Sequence, residues 1–353
     1  MAADVEERPI ADQIDGIAHP ADSLSVTGHD TALNLLNQSL RSGKMHHAWL
    51  FSGPRGIGKA SLAHVFSKYL LSLDAAQSIP EIFDPAMISN NVHRQVQNGG
   101  HPELLHLTRP WDEKTKKFKT QLSVDEVRKT LPFYGMTAGA GGWRITIVDA
   151  ADDMNASAAN ALLKILEEPP KRSLFFILSH STGRLLTTIK SRCQSLRLDP
   201  LDAHQLDTVL SSLGVQASDQ DKKRAISLGN GSVRRTIQLI ESSVLQEFDA
   251  FEKLMTNKAK GHASDWSIVH KISDSISKKG QEESYDLFLD LTTTWIGNQV
   301  RQNLDAPLSS LAAWSEVWDK ANRSSHLADA FNLDKKQVIL SLFGDLFDRN
   351  KRN

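Results

Sequence analysis

The chain has 353 residues, more than one hydrophobic core ordinarily serves, so two or three domains are expected. Its 41 Lys and Arg against 42 Asp and Glu leave a net charge of −1, which excludes a broad basic field for nucleic acid and confines any DNA contact to a local patch or to partners. A single cysteine, Cys193, excludes an intramolecular disulfide framework and a multi-cysteine zinc site, and fits a cytoplasmic location.

Residues 1–24 read as a mobile, Pro-containing lead-in. Met1 to Ala18 is acidic and polar with one Arg, unlike a secretory leader, and nowhere is an apolar run long enough to cross a bilayer, so a soluble, unexported protein is expected. Apolar runs then alternate with helical stretches: Ala48–Phe51, Leu104–Leu107, Ile145–Val148 and Leu174–Leu178, with a fifth short run at Ser195–Leu198. That alternation predicts a parallel sheet covered by helices on both faces. Ser123 with Glu126 has the spacing of a capping box at a helix start. Ala159, Leu162, Leu163 and Leu166 recur at helical spacing, and Pro169-Pro170 stops that helix. Beyond Pro200 only helices are expected. Phe288, Leu291 and Trp295 form one apolar stripe; Ile339, Leu342, Phe343 and Leu346 form another behind a cap made by Asp334 with Gln337, and such stripes are expected to pack within a domain core.

The chemistry concentrates after the first strand. Gly53-Pro54-Arg55-Gly56-Ile57-Gly58-Lys59-Ala60 leads into a helix carrying Leu62, Val65 and Phe66, the strand-loop-helix setting of a phosphate-binding loop. Gly53, Gly56 and Gly58 let backbone N–H groups converge on phosphate oxygens, the helix start adds positive potential, and Lys59 is placed to reach the outer phosphates. Ala60 departs from the pattern, because a Ser or Thr hydroxyl there would ligate magnesium; Ser61 is turned away by about 100°. Asp149 closes the third strand, where a magnesium ligand would sit, and Asp152 or Asp153 is the alternative base further along that loop.

Three strings carry a resemblance. His46 to Pro54, Asn160 to Pro170 and Thr188 to Gln194 together resemble the clamp-loader ATPases of the AAA+ class, over roughly Val26 to Arg235. The resemblance implies a RecA-like parallel-sheet domain over 25–199, a small helical lid over 200–244 and an all-α oligomerisation collar over 245–353. It makes Asp149 the Walker B acid, followed by Ala150 where hydrolysing members place a glutamate. It makes Arg192, in the Ser-Arg-Cys string, an arginine finger acting in trans on a neighbour's ATP, and Arg234 the sensor 2 residue. Sensor 1 falls near Ser179 and His180 without a firm assignment, and Cys193 is expected to be a packing residue. Relatives carry a four-cysteine zinc module near Val92 to His101, but here only His93 and His101 remain, so no zinc is expected.

With Ala60 and Ala150 at two catalytic positions, little or no intrinsic ATPase is expected, with ATP or ADP held, if at all, without hydrolysis. The expected role is that of a non-hydrolysing clamp-loader subunit working with the gamma/tau and delta subunits, and through them with the sliding clamp and primer–template DNA, with no membrane partner. An active motor ATPase is the alternative, and a P-loop phosphotransferase a second rival.

Overall fold

The structure, a computed structural model, describes residues 11–73, 78–135, 142–278, 280–302, 308–331 and 334–352. Residues 1–10 of the expected lead-in lie outside the described residues. The chain divides into two compact units, one made of 1–215 with 231–234 and the other of 216–230 with 235–353.

The first unit is built on five parallel strands. These are β1 (Ala48–Ser52), β2 (Leu104–Leu107), β5 (Arg144–Val148), β6 (Ser173–Ser179) and β7 (Gln194–Arg197), in the order β2-β5-β6-β1-β7. All five expected runs are strands, displaced by no more than a residue. The register places Leu50 beside Ile177 and Ser195, and Ile147 beside His106 and Phe176. Successive side chains point to opposite faces, so the central strands feed two cores. Trp49, Phe51, Ile147 and Phe176 pack with α1 (Asp30–Arg41) and α2 (Lys59–Ser72) on one face. Leu50, Val148, Phe175 and Ile177 pack with α6 (Ala156–Glu167) and α7 (Thr187–Lys190) on the other. Burial on both faces makes each central strand a continuous apolar run.

One local expectation is corrected. Ser123 stands at the N-cap of α4 (Val124–Arg128) but makes no side-chain cap bond, and Glu126 is taken by Lys129 Nζ at 2.6 Å instead of reaching back. A second short helix, α5 (Thr130–Gly135), follows at once. A two-stranded ribbon, β3 (Trp111–Asp112) against β4 (Lys117–Phe118), also stands beside the main sheet, its Trp111 and Phe118 rings 4.9 Å apart. α3 (Asn90–Gln97) and α8 (Ala203–Ser212) complete the first unit's longer helices.

The second unit is helical throughout its described residues. It holds α9 (Asp219–Leu228), most of α10 (Val233–Glu241), α11 (Val244–Thr256), α12 (Ala263–Ile276), α13 (Glu282–Gln302), α14 (Leu308–Phe331) and α15 (Lys335–Arg352). Both expected stripes lie inside its own core: Phe288, Leu291, Ile339, Leu342, Phe343 and Leu346 are buried there, with Trp295 packed against them. Asp334 accepts from the Lys336 N–H at 2.9 Å, capping α15.

Candidate nucleotide-binding site

The phosphate loop leaves the C-terminal end of β1, which lies inside the sheet between β6 and β7, the end of a parallel strand where ligands are ordinarily held. Its glycines are required by close approach. At Gly53, φ +150°, a Cβ would stand 2.4 Å from the Leu198 carbonyl oxygen; at Gly56, φ +77°, it would stand 2.5 Å from Ser232 Oγ and from Arg234 Cβ. The segment Gly231 to Arg234 is therefore seated directly on the loop. Val233 N–H donates to Gly56 O at 2.9 Å, and Ser232 Oγ donates to Arg55 O at 2.8 Å.

Lys59 opens α2 and is 4 % exposed. Its Nζ donates to Gly53 O at 2.7 Å and Pro54 O at 2.6 Å, so the ammonium is folded back on its own loop. Burial pushes its pKa down to about 8, against the pull of Asp149 and Asp152. Asp149 directly follows β5, at the strand's C-terminal edge as expected, with Oδ2 3.9 Å from His106 Nε2 on β2. Burial works to raise the Asp149 carboxyl, but His106, His180 and Lys59 outweigh it and hold it below the usual carboxylate range. Ala150 is 4 % exposed and presents a methyl group.

The two further acids on this loop are both engaged. Asp152 accepts from Ser179 Oγ at 2.6 Å, from the His180 N–H and from the Ser181 N–H at 3.1 Å, tying the end of β6 to the loop after β5. Asp153 lies 3.4 Å from Arg109 Nε, and burial raises its carboxyl against the pull of that arginine. Burial, helped by the Lys59 charge and opposed by Asp149 and Asp152, pushes the His180 ring down to about 4.

Arg234 is brought to this loop and Arg192 is not among its partners. Arg234 Nη1 donates to the Asp12 carbonyl, directly above the loop. Arg192 follows α7, half-buried, with Nη2 2.8 Å from Glu167 Oε1 at the end of α6 and Nη1 donating to Thr188 O at 3.1 Å. Cys193 beside it is packed in the second core, and burial pushes its thiol up to about 12, so it stays protonated at neutral pH. Asp12, Arg109 and His106 are the site residues that sequence reasoning passed over. Arg109, two residues past β2 at the ligand-bearing edge of the sheet, had a positional signal; Asp12 had none, because only the folded chain carries the lead-in there.

The sheet order, a glycine loop on the inner strand β1, an acid at the end of β5 and an arginine segment seated on the loop define an AAA+ protein. The family model described as DNA polymerase III, delta subunit, matches residues 28–202. DNA polymerase III subunit delta' of Bacillus subtilis is 30 % identical over 281 residues, covering 76 % of this chain and 78 % of the relative. The chain therefore belongs to the delta prime family of DNA polymerase III subunits, within the clamp-loader group. Subunit delta' of Pseudomonas aeruginosa is 37 % identical over 147 residues, 42 % of this chain and 41 % of its own length. Subunit tau of Escherichia coli is 28 % identical over 229 residues, 64 % of this chain but 33 % of its own length.

Proposed function

We propose that the chain is a non-hydrolysing clamp-loader subunit whose Arg192 completes the ATP site of a neighbouring gamma/tau motor. One observation carries the reading: the chain keeps a half-exposed arginine whose partners, Glu167 and Thr188, lie outside its own phosphate loop, while methyl groups stand at two catalytic positions, Ala60 after that loop's lysine and Ala150 after Asp149. The loop's backbone cradle suits phosphate oxygens, but the donor set does not fit a catalytic magnesium. Ala60 has no hydroxyl, Asp152 is spent on three donors from the end of β6, and Asp153 is paired with Arg109. Without metal ligation and a group to orient water, phosphoryl transfer loses its positioning and charge-stabilising terms. Nucleotide, if held, stays intact, and no zinc is required.

The arginine is worth most in trans. A guanidinium aimed at a neighbour's γ-phosphate stabilises charge there that the neighbour cannot neutralise alone. In this reading residues 25–199 form the nucleotide-binding-like domain, 200–244 the lid and 245–353 the collar that joins gamma/tau and delta. The assembled machine then opens the sliding clamp on primer–template DNA. Among the described residues no helix is long and apolar enough to cross a membrane.

The test is DNA-stimulated ATPase of the reconstituted complex with wild-type chain or Arg192→Ala, beside the isolated chain. The expected result is a silent isolated chain and, for Arg192→Ala, a loss of turnover of at least tenfold with assembly intact. Steady turnover by the isolated chain would make it a motor ATPase, and full turnover with Arg192→Ala would remove the trans role.

A further inference from the structure

Three arginines converge on one acidic residue above the phosphate loop. Asp12 Oδ1 is 2.9 Å from Arg109 Nη2 and is also paired with Arg55 of the loop itself, while the Asp12 carbonyl takes Arg234 Nη1. Arg109 is further fixed by Asp153 at 3.4 Å. The lead-in reaches this point by a specific path. Asp12 has φ +62°, a left-handed conformation that Asp tolerates better than most residues, and the following segment is pinned where Lys68 Nζ donates to Ala21 O at 2.7 Å and to Ser23 O.

Guanidinium groups recognise carboxylate and phosphate by the same planar fork, so a site that gathers arginines around a carboxylate is one that would gather them around a phosphate. Arg55 lies within the phosphate loop and the Arg234 N–H touches Gly56 O at 3.4 Å, so an anion reaching both must lie over the loop. The same structure shows Lys59 bonded to Gly53 O and Pro54 O, so the site's lysine, like its three arginines, is satisfied from within the chain.

We infer that Asp12 is an internal phosphate surrogate, an autoinhibitory contact in which the lead-in holds Arg55, Arg109 and Arg234 and must be displaced before the polyphosphate of a nucleotide can take them. The inference rests on reading residues 53–60 as a phosphate loop. Nucleotide affinity is then reduced by the fraction of molecules in which Asp12 has left. Removing the surrogate's charge removes that reduction.

The experiment measures binding of a fluorescent ATP analogue to the full chain, with and without magnesium. Asp12→Asn is expected to tighten binding at least tenfold, Asp12→Glu to leave it near wild type because the charge is kept, and Lys59→Met placed on Asp12→Asn to abolish the gain. Equal, measurable binding by wild type and Asp12→Asn would overturn the surrogate and leave the phosphate loop standing, as would equal tightening by Asp12→Glu. If wild type and Asp12→Asn both fail to bind the analogue and inorganic tripolyphosphate at millimolar concentration, the phosphate-loop reading itself falls.

Discussion

Three histidines meet behind the phosphate loop in an environment that opposes their charge. His64 of α2 lies edge-on to His106 of β2 at 5.1 Å and to His19 of the lead-in at 5.8 Å. It is 2 % exposed, and neither ring nitrogen has a hydrogen-bond partner among the described residues. Burial, then the neighbouring His106 and His19 and the Lys68 ammonium, pushes its pKa well below the usual value, and burial likewise pushes His180 down to about 4. A histidine with a lower pKa folded than unfolded takes up a proton on unfolding. Its contribution is complete above about 6.5, the unfolded value, and is lost as the pH falls from there toward the folded value. The melting temperature is therefore expected to fall as the pH is lowered from 7 to 5. His64→Leu, which removes one such proton and two buried unpaired nitrogens, is expected to flatten that slope and to hold or raise stability at pH 7, by about 1 kcal/mol or more. Calorimetry across that range checks it; an unchanged slope would assign the acid sensitivity to other groups. None of this was legible beforehand, because His19, His64 and His106 are far apart in the chain and only the lead-in, α2 and β2 together create the dry pocket. The placement of Gly53, Gly56, Gly58, Lys59 and Asp149 was legible, since a strand–glycine loop–helix is a local motif and Asp149 is fixed by the end of its strand.

At the scale of elements, the strands were readable because a parallel sheet buried on both faces writes each strand as an apolar run, as in Leu174 to Leu178. The β3–β4 ribbon was not, because strands two residues long that carry Asp112 and Lys117 show neither a run nor an alternation. Caps divided in the same way. Ser123 had the right spacing but its Glu126 found Lys129, whereas Asn155 caps α6 by accepting from Ala158 N–H at 2.9 Å and has no acidic partner three residues on to advertise it. The contrast yields a paired prediction. Asn155→Ala should cost about 1 kcal/mol, the ordinary value of a working N-cap, and Ser123→Ala only a few tenths. Urea unfolding of both variants checks the difference; equal losses would mean that the Ser123 hydroxyl supports α4 after all. The consequence reaches the proposed function, since α6 ends in Glu167, the residue against which Arg192 is held.

For the molecule as a whole, the shift from strands to helices after Pro200 was visible in the sequence, but compactness follows contacts instead. α8 belongs with the sheet, and Gly231 to Arg234 returns to it through Leu201 N–H donating to Gly231 O at 3.0 Å and through the phosphate loop. The other unit owns a complete core. Phe251 stands within 5.1 to 6.1 Å of the rings of Phe248, Phe288, Trp295 and Phe343; Trp295 meets Trp314 at 5.7 Å; and the Arg349 guanidinium lies 3.6 Å over Trp314. Each such aromatic contributes about 2 kcal/mol or more on burial, and every partner comes from α11, α13, α14 or α15. Ion pairs between Arg224 and both Asp249 and Glu252 fasten α9 to α11 within the same unit. A fragment covering 216–353 therefore carries all the apolar surface its core needs and is expected to fold alone, with high helix content, a cooperative thermal transition and tryptophan emission that shifts to the red on melting. Circular dichroism and fluorescence on that fragment decide it. Helix without a cooperative transition would mean that this core is completed only in the presence of the sheet unit, and a collar reading of 245–353 would then require the whole chain for assembly.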